Sequence, residues 1–235
     1  MINKKKLKII GLIPAKKNSR DFKGKNFKKL NNLCLYEIAL LSSIKSKIID
    51  KTYLSSDSLQ ILQKGKKYGA ITVVREKKLC SFKTSANELI LDFIKKNISN
   101  YKEYVIVYLQ PTSPFRNHHH IDLALKFFIK KKLKTLISVT ENKNFFKSFK
   151  LRKNKINTYF DSKFVTSNRQ KLKKIYTPNG AIYIFYVKDF LKKNSINFLN
   201  SNFILMNKID SIDIDNYEDY ELAKILSKKF LKYKN

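Results

Sequence analysis

The stretch LKIIGLIPAKKNSRDFKGKN, residues 7–26, sets the reading of the whole chain. Its first part, residues 7–13, is a short, mainly apolar run with the length of one strand. Its second part is a loop that places Lys16, Lys17, Arg20, Lys23 and Lys25 beside Ser19, Gly24 and Asn26. A basic start followed by an apolar run imitates a signal peptide. The run is too short for one, contains Pro14, leads at once into Lys16 and Lys17, and has no small-residue cleavage site after it. It reads instead as a buried first strand followed by a basic loop.

Working outward, the same alternation repeats. Strand-like runs fall at 52–55, 71–74, 104–109, 135–139 and 181–187. Helix-period segments lie at about 34–46, 58–67, 85–98 and 119–132, with a last helix at about 217–230. Strands that read as continuous apolar runs, separated by helices, imply a mostly parallel sheet covered on both faces, an α/β fold. Residues 141–178 break the alternation. They are polar with interspersed Phe145, Phe146, Phe149, Tyr159 and Phe160, and read as a small arm. With no internal repeat and no Gly/Ser/Pro linker, the 235 residues are expected to form a single domain.

Apolar residues make up 43% of the chain, enough for a sizeable core. The formal net charge is +32, from 50 Lys+Arg against 18 Asp+Glu. Such an excess suits an anionic partner. Yet the basic residues are nearly all Lys, spread over the whole length, as on a solvated surface with no polymer partner. A nucleic-acid binder would interleave aromatics with charges on one face, and no such motif is found. The five arginines, Arg20, Arg75, Arg116, Arg152 and Arg169, are expected where a rigid fork is needed. Cys34 and Cys80 have neither metal spacing nor a partner framework, so a reducing cytoplasm is the expected compartment. No stretch approaches the length of a membrane span.

In open α/β sheets ligands bind beyond the carboxyl ends of the strands, and five polar clusters follow strands or lead into them. The first is the basic loop, suited to a polyphosphate but without the Walker pattern. Taken alone, such lysines are more often a solvated run than a site. The second, Ser55-Ser56-Asp57, either caps the next helix or joins the site. The third is L-Q-P-T-S-P-F-R, residues 109–116, in which the Gln110 amide is able to bond a substrate hydroxyl. His118, His119 and His120 follow; adjacent helical residues do not share a face, which argues against a three-histidine metal site. The fourth is P-N-G-A-I-Y-I, residues 178–184. The fifth is S-I-D-I-D, residues 211–215. In an extended segment Asp213 and Asp215 point to one side, where two carboxylates repel unless a cation such as Mg²⁺ joins them. Alternatively Asp215 caps the final helix, with Glu218 completing a capping box.

In this order the five clusters resemble the acylneuraminate cytidylyltransferase family, the synthetases that make CMP-sialic, CMP-legionaminic and CMP-pseudaminic acids. The resemblance covers about residues 7–228. It implies a Rossmann-like three-layer α/β/α fold of the nucleotide-diphosphosugar transferase type, with a small dimerisation arm. It also implies transfer of CMP from CTP to the anomeric hydroxyl of a nine-carbon acidic sugar, with release of pyrophosphate, by a homodimer using Mg²⁺. On the family pattern Lys16, Ser19, Arg20, Lys25 and Asn26 bind the triphosphate and nucleoside, and Arg75 meets the cytosine. Gln110, Lys147 and Arg169 contact the sugar, and Asp213 and Asp215 hold the metal; Arg20, Lys25, Asp213 and Asp215 carry the catalysis. The chain departs from the pattern in several places. Lys16 stands where relatives usually have Arg, Asn18, Asp21 and Lys23 replace Gly, Gly and Pro, Ala86 replaces a serine near the base, and Thr177 replaces an arginine. The nearest alternative is the related enzyme for the eight-carbon sugar Kdo; P-N-G-A-I-Y-I and S-I-D-I-D favour the nine-carbon group. An alternative from another class is a basic nucleic-acid-binding protein.

Overall fold

A computed structural model describes residues 7–20, 22–168, 170, 172–199 and 201–231. The chain opens with strand β1 (Lys8–Pro14) and a short hairpin of β2 (Lys29–Leu30) and β3 (Leu33–Cys34), then helix α1 (Leu35–Ile44). Three strand–helix pairs follow: β4 (Lys51–Ser56) with α2 (Leu59–Lys67), β5 (Ile71–Val74) with α3 (Ala86–Asn97), and β6 (Tyr104–Tyr108) with α4 (His118–Lys130). Next come β7 (Thr135–Glu141), the hairpin β8 (Phe149–Arg152) and β9 (Lys155–Thr158), and a turn of helix, α5 (Lys163–Thr166). The chain closes with β10 (Tyr176–Tyr186), α6 (Val187–Leu191), β11 (Asn202–Leu205) and α7 (Tyr217–Phe230).

Seven strands form one sheet in the order β11-β7-β10-β6-β1-β4-β5, and β10 alone runs against its neighbours. The first strand shows why the sheet is covered twice. Ile9 and Ile13 pack into a core with α1, α2 and α4, while Ile10 and Leu12 pack into a second core with α3 and α6, as the two-residue period of a strand requires. Gly11 lies on the first face. A Cβ there would sit 2.1 Å from Ser43 Oγ, so the glycine is what lets α1 approach the sheet so closely. A third apolar cluster, with Leu30, Leu35, Ile38, Phe115, Ile214 and Ala223, seats α7 against α1 and the segment before it. No helix among the described residues is long and apolar enough to cross a membrane.

Strands at 71–74 and the helix at 217–230 match the sequence reading, and the other main elements agree within a few residues at each end, except that β10 begins five residues early. The edge strand β11 and the short α6 were not foreseen. β11 is four residues long and mostly exposed, without a buried face to write a period into the sequence. The arm holds more structure than its polar composition suggested. Lys153 and Asn154, both with positive φ, join β8 to β9 as a two-residue hairpin turn of the type whose twist matches the strands. Phe145, Phe146, Phe160 and Phe164 pack together beside it, with ring centroids 5.1–6.0 Å apart.

Because β1, β4, β5 and β6 run in parallel, the loops after them gather at one edge of the sheet. The reversed β10 brings its beginning to the same edge, since Tyr183 pairs with Tyr108 at the end of β6. Four sequence clusters far apart in the chain thereby meet.

Candidate active site

At that edge lies a cavity of about 400 Å³. Lys16, Ser19, Lys25 and Asn26 of the basic loop, Arg75, Gln110, Asp213 and Asp215 all line it. Arg20 is exposed on the loop, outside the lining. Lys147 lies in the arm with its Nζ donating to Ser167 O at 3.2 Å, away from its own chain's cavity. Arg169 lies outside the described residues.

The basic loop is held by hydrogen bonds rather than by a helix. Asn26 is buried, and its Nδ2 donates to Lys16 O at 2.7 Å, drawing the two ends of the loop together. The end of β4 holds the loop from the other side: Ser56 Oγ donates to Ala15 O at 2.5 Å, and Asp57 Oδ1 accepts from Lys17 N at 2.7 Å. The second sequence cluster is therefore a brace for the site. The cap of α2 is Ser58, whose side chain accepts from Ile61 N. Burial, with Arg75 and Lys25 nearby, lowers the Lys16 pKa. Its ammonium also lies 5.1 Å from the centroid of the Phe82 ring. A cation strained in this way gains from an anion entering the cavity.

Arg75 follows β5 and is buried. Its Nε and Nη2 donate to Ser55 Oγ at 3.4 Å and Ser55 O at 3.0 Å. Three of the five guanidinium hydrogens remain beyond those two bonds. Burial lowers its pKa, though an arginine stays charged. Tyr108 lines the cavity near Arg75, and burial pushes its hydroxyl pKa up to about 12. Arg75 and the Gln110 side chain work against that rise. Arg116, by contrast, is buried in the core, where Nη1 donates to Ala181 O at 3.3 Å.

The carboxylates meet the basic loop at Lys25. Lys25 Nζ is 3.2 Å from Asp215 Oδ1 and donates to Ile214 O at the same distance. Ile214 N donates to Thr112 O at 2.9 Å, tying this segment to the third cluster. Asp213 is pushed above the usual carboxylate pKa by burial and by Asp215, while a hydrogen bond from Thr112 pulls it down. Its Oδ1 is buried and has no hydrogen-bond partner. Asp215 does not cap the last helix. Asn216 does, accepting from Asp219 N, and Asp219 returns the bond to Asn216 N, which completes the box one residue later than the sequence suggested. Both aspartates are thus free of capping duty. Among the described residues no three His, Cys, Asp or Glu side chains gather as a metal cluster. His120 serves instead in the capping box of α4 and lies 3.3 Å from Asp210.

Sequence reasoning misses Leu89 as a lining residue. It sits on the buried face of α3, where nothing distinguishes a residue facing a cavity from one facing the core. The sequence singles out only Ala86 here, as a departure from the family pattern; Ser81, Thr84 and Ser85 line the cavity with it.

A family model described as cytidylyltransferase matches residues 10–233. The chain is 32% identical over 225 residues to the N-acylneuraminate cytidylyltransferase of Escherichia coli O18:K1:H7, covering 94% of this chain and 52% of that one. It thus spans about half the length of that relative. It is 30% identical over 225 residues to the pseudaminic acid cytidylyltransferase of Campylobacter jejuni serotype O:2, covering 94% of this chain and 97% of that one. Among solved structures, CMP:2-keto-3-deoxy-manno-octonic acid synthetase complexed with CTP superposes with a TM-score of 0.68. The overlap takes in 94% of this chain and 99% of that one at 10% identity, a likeness of fold.

Proposed function

The chain belongs to the cytidylyltransferase family, matched from residue 10 to residue 233, and from that premise we propose that it joins CMP from CTP to the anomeric hydroxyl of a nine-carbon acidic sugar, releasing pyrophosphate. One observation carries the reading: a single cavity is lined by Lys16 and Lys25, the buried Arg75, and the carboxylates Asp213 and Asp215, with Lys25 only 3.2 Å from Asp215.

In this reading Lys16, Ser19 and Lys25 hold the triphosphate, and Arg75 meets the base edge. Gln110 bonds a sugar hydroxyl. The anomeric hydroxyl oxygen attacks the α-phosphorus and gives up its proton to solvent; the new P–O bond forms as the bond to the bridging oxygen breaks, and pyrophosphate leaves with the electron pair. Phosphoryl chemistry of this kind asks the protein mainly for positioning and charge neutralisation. Lys16 and Lys25 supply both, taking up the charge that builds on the departing pyrophosphate.

The residues fit a divalent cation. The unpartnered, buried Asp213 Oδ1 beside a second carboxylate is an all-oxygen donor set of the kind Mg²⁺ takes together with substrate phosphates. When bound, the ion supplies Lewis-acid polarisation of a phosphoryl oxygen. Asp213 and Asp215 would hold it, and Lys25 would then trade its ion pair with Asp215 for phosphate.

We further propose a homodimer in which the arm of one chain reaches the cavity of the other, bringing Lys147 and Arg169 toward the sugar. The exposure of Leu151 and Ile156, at 77% and 64%, supports this. They face each other across the β8–β9 hairpin, an apolar pair left to solvent in the single chain.

The test of the activity is release of pyrophosphate from CTP by purified protein with Mg²⁺ and sialic, legionaminic or pseudaminic acid. Release that depends on one of these acids supports the reading. No release with any of the three would sink it.

A further inference from the structure

We propose that Asn179 is a positioning residue for the metal carboxylate Asp213, acting through Ser211 and the backbone of Gly180; this rests on the reading of Asp213 as a metal ligand.

The side chain of Asn179 is buried where three segments meet. Ser138 on β7, which takes the Ile182 N–H at 2.8 Å, donates its own hydroxyl to Asn179 Oδ1 at 2.6 Å. Ala181 N donates to the same oxygen at 3.3 Å. Asn179 Nδ2 donates to Ser211 Oγ at 2.9 Å. A backbone N–H must face an oxygen, so the Ala181 bond fixes which way the amide points. The NH₂ group is left aimed at the segment that carries Asp213 two residues on.

Gly180 supplies the second hold. Its φ of +75° bends β10, whose pairing with β7 shifts register between Pro178 and Tyr183. The bend brings the backbone under the carboxylate: a Cβ on Gly180 would lie 2.9 Å from Asp213 Oδ2 and 2.9 Å from Gln110 Oε1. Ile214 N, next in the chain, donates to Thr112 O at 2.9 Å and ties the same segment to the end of β6. Asp213 thus sits on a shelf made by the irregular start of β10, with Asn179 strapping down the loop behind it. The amide supplies an acceptor to Ser138 and Ala181 and a donor to Ser211. An aspartate would offer no donor to Ser211 and would add a third negative charge beside Asp213 and Asp215. Groups that orient metal ligands typically contribute 10- to 100-fold to metal affinity.

The experiment titrates Mn²⁺ alone into the purified full chain, followed by water-proton relaxation enhancement. Binding of CTP in EDTA, followed by calorimetry, reports whether the cavity is intact. Asp213→Asn should abolish Mn²⁺ binding. Asn179→Ala and Ser211→Ala should each weaken it about 10- to 100-fold and leave CTP binding in EDTA within about twofold. Ser211→Thr keeps the hydroxyl and should restore wild-type affinity. If Asn179→Ala does not fold, the pair Ser211→Ala and Ser211→Thr decides. Wild-type Mn²⁺ binding by Asp213→Asn would overturn the metal reading and this inference with it. Loss in Asp213→Asn with unchanged affinity in folded Asn179→Ala and Ser211→Ala would overturn the positioning role alone.

Discussion

Replacing Arg75 with alanine should erase much of the preference for CTP over UTP. Cytosine offers two acceptors on one edge, its carbonyl oxygen and ring N3, and a guanidinium carries only donors. The structure leaves three guanidinium hydrogens beyond the two bonds to Ser55. Those two bonds, to the strand end of β4, also fix the fork in place before any base arrives. Uracil puts an N–H at the ring position and meets donor with donor. A hydrogen bond to a charged group contributes about 1.5–3 kcal/mol, or roughly 10- to 150-fold. A site built for that bond rejects a base that leaves its buried polar group unpaired. Arg75→Ala should therefore lower kcat/KM for CTP by about 10- to 150-fold and narrow the CTP/UTP ratio. Arg75→Lys should recover little, since a point charge lacks the fork. The assay is the ratio of kcat/KM for the two nucleotides in each protein. Asn26 should matter less to this choice, because an amide carries both donor and acceptor and serves either base. An unchanged ratio in Arg75→Ala would refute the reasoning and place the reading of the base elsewhere.

Asp213→Asn and Asp215→Asn should each lower turnover by about 10²–10³-fold or more, as loss of one transition-state electrostatic group does; near-normal rates would remove the metal assignment. Asp213→Asn also carries a pH signature. The folded pKa of Asp213 lies above that of an unfolded carboxylate, so its ionisation destabilises the metal-free fold above that pKa and has no effect below the unfolded value. The variant should melt higher than wild type at neutral pH, with the gain fading on acidification, and a gain constant with pH would contradict this. Gly180→Ala should cost about 1–2 kcal/mol of stability from its left-handed backbone. Its Cβ displaces Asp213 and Gln110 together, so turnover should fall by about 10²-fold; calorimetric melting and wild-type kinetics in this variant would argue against the shelf. Light scattering at micromolar concentration should report a dimer, reduced toward monomer by Leu151→Lys with Ile156→Lys, and a monomeric wild type would end the proposal for the arm.

Much of the fold was legible because burial on both sides leaves a simple trace. Residues 104–108, Y-V-I-V-Y, have no polar face to show, and α2, α3 and α4 carry a 3.6-residue period, while α1 is buried nearly all round. What stayed hidden has a common cause: it depends on tertiary contact rather than on pattern. β11 pairs only along one edge and is mostly exposed, so no period marks it. The reversal of β10 follows from the connection through the arm, which composition alone does not direct. In the site, Lys16, Lys25, Asp213 and Asp215 stand out because charged clusters are conspicuous, whereas Arg75 is assigned its role only by the family resemblance. Asn179 drew notice only inside a motif. Its work, three hydrogen bonds spanning residues 138 to 211, exists only once the strands are side by side. The cap of α7 was misplaced by one residue because Asp215 and Asn216 are both good caps, and only the bond from Asp219 N to Asn216 Oδ1, at 2.8 Å, separates them.

The most direct measurement of the central claim is a competition. Purified protein receives CTP, Mg²⁺ and an equimolar mixture of sialic, legionaminic and pseudaminic acids with the eight-carbon acid Kdo, and the nucleotide products are resolved by mass spectrometry. The account predicts a CMP ester of a nine-carbon acid, formed in step with pyrophosphate. CMP-Kdo as the main product, or consumption of CTP with no CMP ester of any of the four sugars, would contradict it.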